Sequence, residues 1–409
     1  MTASADREKP GYRALLSLPV PRRLALASLP ADFADWLDYA AIVALLVFGW
    51  GHGPFALAIF ALALSLPYIM VGPLAAVVVD RSSISAVLVI SNLGRALATL
   101  GFAFTGDAAM LLVLVFLRGA IDSAFTPARQ AALQATTPKH LLGHANGLHQ
   151  AINQTSKIAG PAIGGLLLVI WPAQGVFLFN AGLSLIAVVI ALTLVIPPRE
   201  QGEGDGQRGR FFVESLAGIA EFRRSRRLLV ALIFSAFAYF SFFLYDALIA
   251  LLAEGFGFGA TAFGLSIAAS GLGGLIGALV AGCFAAGRPI LVMALAAMIS
   301  GLTTAAVAAA ALAGLMLPLA AFLFVLLFMG GSTAFMLVPY RTIIQAEVPP
   351  DRIGRVFAAG EAVITLTMLS APLIGSAIAS QWGTPAAFLV GGALLVVLGG
   401  VTLATARRA

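Results

Sequence analysis

Charge is scarce in this chain: Lys, Arg, Asp and Glu make up 10% of its 409 residues, where a soluble globular protein has about a quarter. There is one cysteine, Cys283, which excludes an internal disulfide. Histidine is nearly as rare, and His140, His144 and His149 have no cysteine or acid cluster beside them. They are expected at the surface, with no metal site. No Gly-Lys-Ser/Thr phosphate loop is present, which excludes nucleotide-driven work. No nucleophile stands in a convergent setting, so neither an enzyme nor a bound cofactor is expected. The excess of 24 Lys+Arg over 18 Asp+Glu lacks a soluble core with a basic face or a row of stacking aromatics, so nucleic acid is not an expected partner.

What the chain has is apolar length. It is 60% hydrophobic, with a mean hydropathy of +1.00. A bilayer demands about 20 apolar residues per helix, because each segment must satisfy its own backbone in lipid. Breaks at Gly, Pro and charge predict helices over 24–49, 55–79, 85–105, 108–128, 144–170 and 174–196, then over 228–253, 260–286, 290–312, 316–340, 355–380 and 385–406. The fold class is thus an all-α membrane protein of twelve transmembrane helices. The first apolar run is too long for a signal-peptide core and has no small-residue cleavage pattern, so it reads as an uncleaved helix.

Loop charges orient these spans. Arg7, Lys9, Arg13, Arg22 and Arg23 precede the first helix, Arg81 follows the second, Arg129 and Lys139 the fourth and Arg288 the eighth. Arg341, Arg352 and Arg355 follow the tenth, and Arg407 and Arg408 end the chain. Seven arginines lie in the central loop Pro197 to Arg227, whereas loops on the other face carry acids such as Asp107 and Glu254 but no Lys or Arg. The positive-inside rule then makes both termini cytoplasmic. The expected organisation is a cytoplasmic segment 1–23, a six-helix bundle 24–196, a flexible linker 197–227 and a second six-helix bundle 228–406.

The two bundles read as duplicates. Thr126-Pro-Ala-Arg129, Pro138 and Gly160-Pro161 recur as Val338-Pro-Tyr-Arg341, Pro350 and Ala371-Pro372, 211 to 212 residues later. Leu37-Asp-Tyr-Ala-Ala-Ile42 recurs as Leu244-Tyr-Asp-Ala-Leu-Ile249, at an offset of 207. Parallel repeats joined by a long loop are a transporter architecture, with the substrate path between the halves.

These features resemble the major facilitator superfamily over nearly the whole chain. Gly72-Pro-Leu-Ala-Ala-Val-Val-Val-Asp80-Arg81 is similar to that family's cytoplasmic gating motif, with Ser82-Ser-Ile-Ser85 in place of its trailing basic residues. Ser156-Lys-Ile-Ala-Gly160-Pro161-Ala-Ile-Gly164-Gly165 resembles the helix 5 motif of its antiporters. Read physically, Gly160 and Gly164 permit close helix approach and Pro161 bends the helix; the resemblance adds the antiport meaning to what is otherwise a packing device. Phe125-Thr-Pro-Ala-Arg-Gln-Ala-Ala-Leu133 and Pro349-Pro-Asp-Arg-Ile-Gly-Arg355 are similar to the bacterial branch holding enterobactin exporters and macrolide efflux proteins.

Charges left at bilayer depth cost roughly 2.5 to 3.5 kcal/mol each on insertion scales, so they face the protein interior or a watery cavity. Asp32, Asp35 and Asp38 recur every third residue and share an arc of roughly 120° on helix 1. Three carboxylates so close do not all stay ionised in low dielectric, and one is expected to hold a proton. Asp38 and Asp246 are expected to flank the central cavity, with Asp32 merely hydrated. Asp35, Asp122 and Glu361 are further proton-coupling or cavity candidates. Arg118 and Asp122 stand four apart and read as an intrahelical pair; Arg95 and Lys157 are expected to neutralise Asp122 or the helix 1 acids. Glu361 has Arg355 as a possible partner, or else holds a proton or a cation. Phe237, Tyr239, Phe240, Phe242, Phe243 and Tyr245 either line a cavity or pack.

The expected function is a proton-coupled exporter of a small amphiphilic molecule, drug-like or siderophore-like. It is expected to work by alternating access, as a monomer in a bacterial inner membrane. A proton-coupled importer on the same fold is the alternative. A non-transporting sensor or scaffold would need a soluble signalling domain, and no segment is long enough to fold as one.

Overall fold

The computed structural model describes residues 11–72, 74, 75, 79, 82–197, 220–284, 288–349 and 352–406. All regular structure among them is helical. A short helix α1 (Tyr12–Ser17) precedes α2 (Pro19–Ala44), which continues as a π turn over Leu45–Gly49. Then come α3 (Pro54–Met70), α4 (Ile84–Phe102), α5 (Ala108–Asp122), α6 (Phe125–Thr136), α7 (Leu142–Ile170) and α8 (Ala173–Leu192). The C-terminal set is α9 (Arg226–Phe243), α10 (Ile249–Gly255), α11 (Ala260–Phe284), α12 (Pro289–Leu312), α13 (Leu319–Glu347), α14 (Ile353–Trp382) and α15 (Thr384–Ala406).

Among the described residues, nine helical segments are long and apolar enough to cross a membrane, counting α5 with α6 and α9 with α10 as one each. Helix α3 is apolar but shorter, whereas α2 and α7 have the length but carry the polar load of the N-terminal set. Outward faces expose large apolar side chains such as Ile90, Leu97, Val113, Val189, Leu302 and Phe324. Water penalises such a surface; lipid does not.

Three segments depart from the sequence expectation. The fourth predicted span breaks at Ser123 and Ala124, three residues before Pro127 in the sequence, and α6 follows the break. The seventh breaks at Leu244 and Tyr245, where a 3-10 turn over Asp246–Leu248 intervenes. The tenth runs on to Glu347, so Arg341 belongs to a helix and not to a loop.

The two sets pack alike. In the first, α7 and α8 lie against α2, α8 against α4, and α3 and α4 against α5. In the second, α14 and α15 lie against α9, α15 against α12, and α11 and α12 against α13. Between the sets, α7 packs on α11 and α3 on α14. Glycine makes the tightest approaches: Gly164 of α7 lies against the Leu37 carbonyl of α2, and Gly375 of α14 against the Leu244 carbonyl after α9. Any larger residue would drive a carbon into the facing backbone. The reversal between α14 and α15 rests on Gly383 alone, whose φ of 87° is open to glycine at little cost.

The apolar core is continuous at one end of the molecule and divided at the other. One cluster joins both sets through Leu37, Leu46, Phe60, Phe177, Tyr245, Phe263, Phe322 and Phe388. At the opposite end there are two clusters, one around Leu24, Phe125, Leu133 and Leu141, the other around Phe222, Met293, Ile343 and Val348. A cleft parts them.

Candidate functional site

The acid stripe of α2 sits at the centre of the N-terminal set and is met by three arginines from other helices. Arg95 of α4, fully buried, pairs with Asp35, lies 3.1 Å from an Asp122 oxygen and donates to the Ala31 carbonyl. Arg118 of α5 lies 3.3 Å from Asp38 and 3.4 Å from Asp35, and donates to the Ala34 carbonyl. Arg129 of α6 reaches both oxygens of Asp32, at 2.7 and 2.9 Å. The Phe125 ring separates two of these cations, with the Arg95 guanidinium 5.1 Å and that of Arg129 5.2 Å from its centroid. Asn180 of α8 donates to Asp38 and, at 2.9 Å, to the Ala34 carbonyl. Tyr68 of α3 donates to Asp122.

Four expectations are corrected here. Asp32 is not hydrated: it is 1% exposed and paired with Arg129, which is itself no loop residue. Asp38 does not face open space, being 1% exposed and closed in by Arg118 and Asn180. Arg118 and Asp122 do not pair within their helix; each faces a different neighbour. Of the α2 acids, Asp35 is the one with its side chain partly open, at 20% against 1 to 2% for Asp38 and Asp32.

Asp246 begins the 3-10 turn between α9 and α10, half-buried, and accepts a hydrogen bond of 3.1 Å from the Tyr39 hydroxyl of α2. That bond crosses between the two sets. Lys157 neutralises none of the acids directly: among the described residues no carboxylate lies within 4 Å of it, and its ammonium sits 5.8 Å over the Trp36 ring. The carboxylates whose charge reaches it are Glu361 and Asp32. Glu361, more than half exposed, is 3.6 Å from Arg341; the side chain of Arg355 lies outside the described residues.

Tyr239 and Phe242 line a small gap of about 10 Å³ between α9 and α13, with Ser235, Ala238, Thr333, Met336 and Leu337. Tyr245 is fully buried instead, against Phe388 and Gly391, and Phe237 points outward.

The family profile described as Major Facilitator Superfamily matches residues 24–318 and 235–408. The chain belongs to this superfamily. It is a multi-pass membrane transporter and not an enzyme. An MFS-type transporter of Bacillus subtilis, YfiS, itself uncharacterized, is 27% identical over 401 residues, covering 97% of this chain and 94% of that one. Macrolide efflux protein A of Streptococcus pyogenes is 26% identical over 345 residues, 81% and 83% of the two chains. Two solved structures share the fold. The nucleoside transporter NupG has a TM-score of 0.67 at 14% identity, with 95% of this chain and all of that chain covered. A bacterial homolog of the human lysosomal transporter Spinster, inward-facing and unoccupied, has a TM-score of 0.62 at 15% identity, with 95% of both chains covered.

The superfamily motifs fall into place on this geometry. Gly160 of the helix 5 motif faces Trp36 and Leu37, Gly164 the Leu37 carbonyl, and Gly165 the backbone of Gly264 on α11. Pro161 sits inside α7 without ending it. The motif therefore presses α2, with its acid stripe, and α11 of the other set onto one helix. Gly72 of the gating motif is helical with open space around it; Asp80 and Arg81 lie outside the described residues. Arg129, Tyr39, Tyr68 and Asn180 escaped sequence reasoning. An amide in the middle of the apolar run Ala173–Leu192, well past Gln174 at its start, was the available signal for Asn180.

Proposed function

We propose that this superfamily member exports a small amphiphilic molecule by proton antiport. Two six-helix bundles, 24–196 and 228–406, work by alternating access across twelve spans, with the linker 197–227 and both termini on the cytoplasmic side of a bacterial plasma membrane. The observation that carries the reading is a charge imbalance. Four carboxylates (Asp32, Asp35, Asp38, Asp122) meet three guanidinium groups (Arg95, Arg118, Arg129) in the buried cluster. With every group ionised, one negative charge is left over in low dielectric, and such a charge is costly. One proton removes it. Asp35 is the carboxylate to carry that proton, since it shares Arg95 with Asp122 and Arg118 with Asp38 and alone is partly open.

Alternating access is supported by the divided apolar core: buried apolar contact joins the two sets at one end and stays within each set at the other, as one half of a rocking cycle would have it. The matching helix pairings, and the matching approaches of Gly164 and Gly375, support two duplicated bundles. Export and an amphiphilic cargo are supported by the relatives, whose names include macrolide efflux and a multidrug efflux pump.

The test is efflux of a radiolabelled macrolide from proteoliposomes with and without an imposed proton gradient. The gradient is expected to accelerate wild-type efflux, and Asp35→Asn to abolish the acceleration while leaving macrolide exchange intact. Equal wild-type efflux under both conditions sinks proton antiport.

A further inference from the structure

The sequence offers His149 as a surface histidine, yet it is 3% exposed, and its Nδ1 is buried without a hydrogen-bond partner. It belongs to a stripe. His149, Ser156, Gly160 and Gly164 recur at intervals of seven, four and four residues, which keeps them on one face of α7. That face looks at α2, because Gly160 and Gly164 abut Trp36 and Leu37. The two helices run in the same direction: Leu24 and Leu141 share the cluster at the divided end, and Leu37 and Leu168 the cluster at the joined end. Ser156, one turn before Gly160, is therefore level with Asp32, one turn before Trp36. His149, two turns further back, is level with Ala25, and Ser28 lies between that level and Asp32.

Ser28 and Ser156 are both wholly buried, and neither hydroxyl has a partner. Packing alone explains this seam poorly. Alanine would fill either serine position with no unmet hydrogen bond, and leaving a buried polar atom unmet is unfavourable. Groups that pass a proton need a free lone pair and a proton to give, which hydroxyls and an imidazole provide. Beyond His149, α7 reaches the surface where the Tyr12 ring of α1 meets the His144 ring edge-on at 5.2 Å.

We propose that His149, Ser28 and Ser156 form a proton path from the His144 end of α7 to the carboxylates of Asp32 and Asp35. A proton from the aqueous side binds one imidazole nitrogen of His149 as the other nitrogen releases its own. Each hydroxyl, or a water held between them, then accepts a proton on a lone pair and passes its own onward. The last O–H bond forms on a carboxylate, so one positive charge moves inward and nothing is oxidised or reduced. Arg129 of α6 pairs with Asp32 at the inner end of the seam. The inference rests on the proton-coupled reading above.

The test follows the protonated-carboxyl C=O band by time-resolved infrared after a pH jump, on the full-length protein in nanodiscs. No substrate is needed. The wild-type band is expected to rise on acidification and to shrink in Asp35→Asn. His149→Phe, and separately Ser28→Ala with Ser156→Ala, are expected to slow the rise by about tenfold or more while reaching the wild-type amplitude. The serine pair serves should His149→Phe fail to fold. An unchanged rate in the folded variants overturns the path, and so does a lost amplitude, which would make these side chains structural partners of the acids. Absence of any such band in the wild type would instead remove the proton-coupled reading, and the path with it.

Discussion

Tyr39 donates a hydrogen bond to Asp246, 207 residues further along the chain, and the same interval separates Leu37 from Leu244, whose carbonyls receive Gly164 and Gly375. The bonded pair thus holds corresponding positions of the two repeats, and the bond lies where the repeats meet. Each keeps its neighbour inward: Asp38 turns to Arg118 and Asn180, Tyr245 to Thr304 and Phe388.

Removing the Tyr39 hydroxyl should loosen the joined end. A hydrogen bond to a charged acceptor contributes about 1.5 to 3 kcal/mol, so Tyr39→Phe is expected to move the balance of states away from the form joined at this end by about tenfold or more. Spin labels at the exposed Gln134 of α6 and Gln345 of α13 report the change as a shorter distance population. An unaltered distribution would show that the bond does not hold the state.

Gly164→Ala and Gly375→Ala should each destabilise the protein by about 1 to 3 kcal/mol, because the added carbon meets a backbone carbonyl that has no room to give. The two effects should add, since the contacts are separate. Thermal unfolding in detergent measures both. Gly72→Ala, with nothing within 4 Å of the added carbon, is the control and should leave the midpoint where it was.

For the pair of Asp32 and Arg129, breaking one side should be worse than removing both. Arg129→Met alone leaves a buried carboxylate unpaired and is expected to cost about 3 to 5 kcal/mol, whereas Asp32→Leu with Arg129→Met should recover most of it. A double-mutant cycle on unfolding midpoints decides. Additive losses would mean that the two side chains do not interact.

Tyr239→Ala and Phe242→Ala should raise the KM for an amphiphilic probe several-fold with little change in maximal rate, because both line the gap between α9 and α13 and neither touches the charge cluster. A loss confined to maximal rate would remove the gap from substrate binding.

Much of this was legible in advance. Apolar runs located the helices because lipid forbids unpaired backbone, and the acid period on α2 placed three carboxylates on one face, as they are. The identities of their partners were not legible. Arg129 finds Asp32 across 97 residues and Asn180 finds Asp38 across 142, and a helix's own period says nothing about which neighbour it meets. Arg129 read as a loop charge because Pro127 marks a span end; the break instead falls before Phe125, and α6 carries the arginine back inward. Arg118 and Asp122 misled because their spacing within one helix suggested a pair that the tertiary packing replaced.

The buried cluster also imposes an order on how the protein is made. The first apolar segment leaves the translocation machinery carrying three carboxylates, each costly in lipid without a partner. The arginine that pairs with Asp35 from α4 lies 60 residues behind it, the one from α5 lies 83 behind, and the one that pairs with Asp32 lies 97 behind. Until those residues have been synthesised, α2 has no stable place among the acyl chains. It must wait at the membrane interface or against the insertion machinery, and it settles only when the helices that neutralise it arrive.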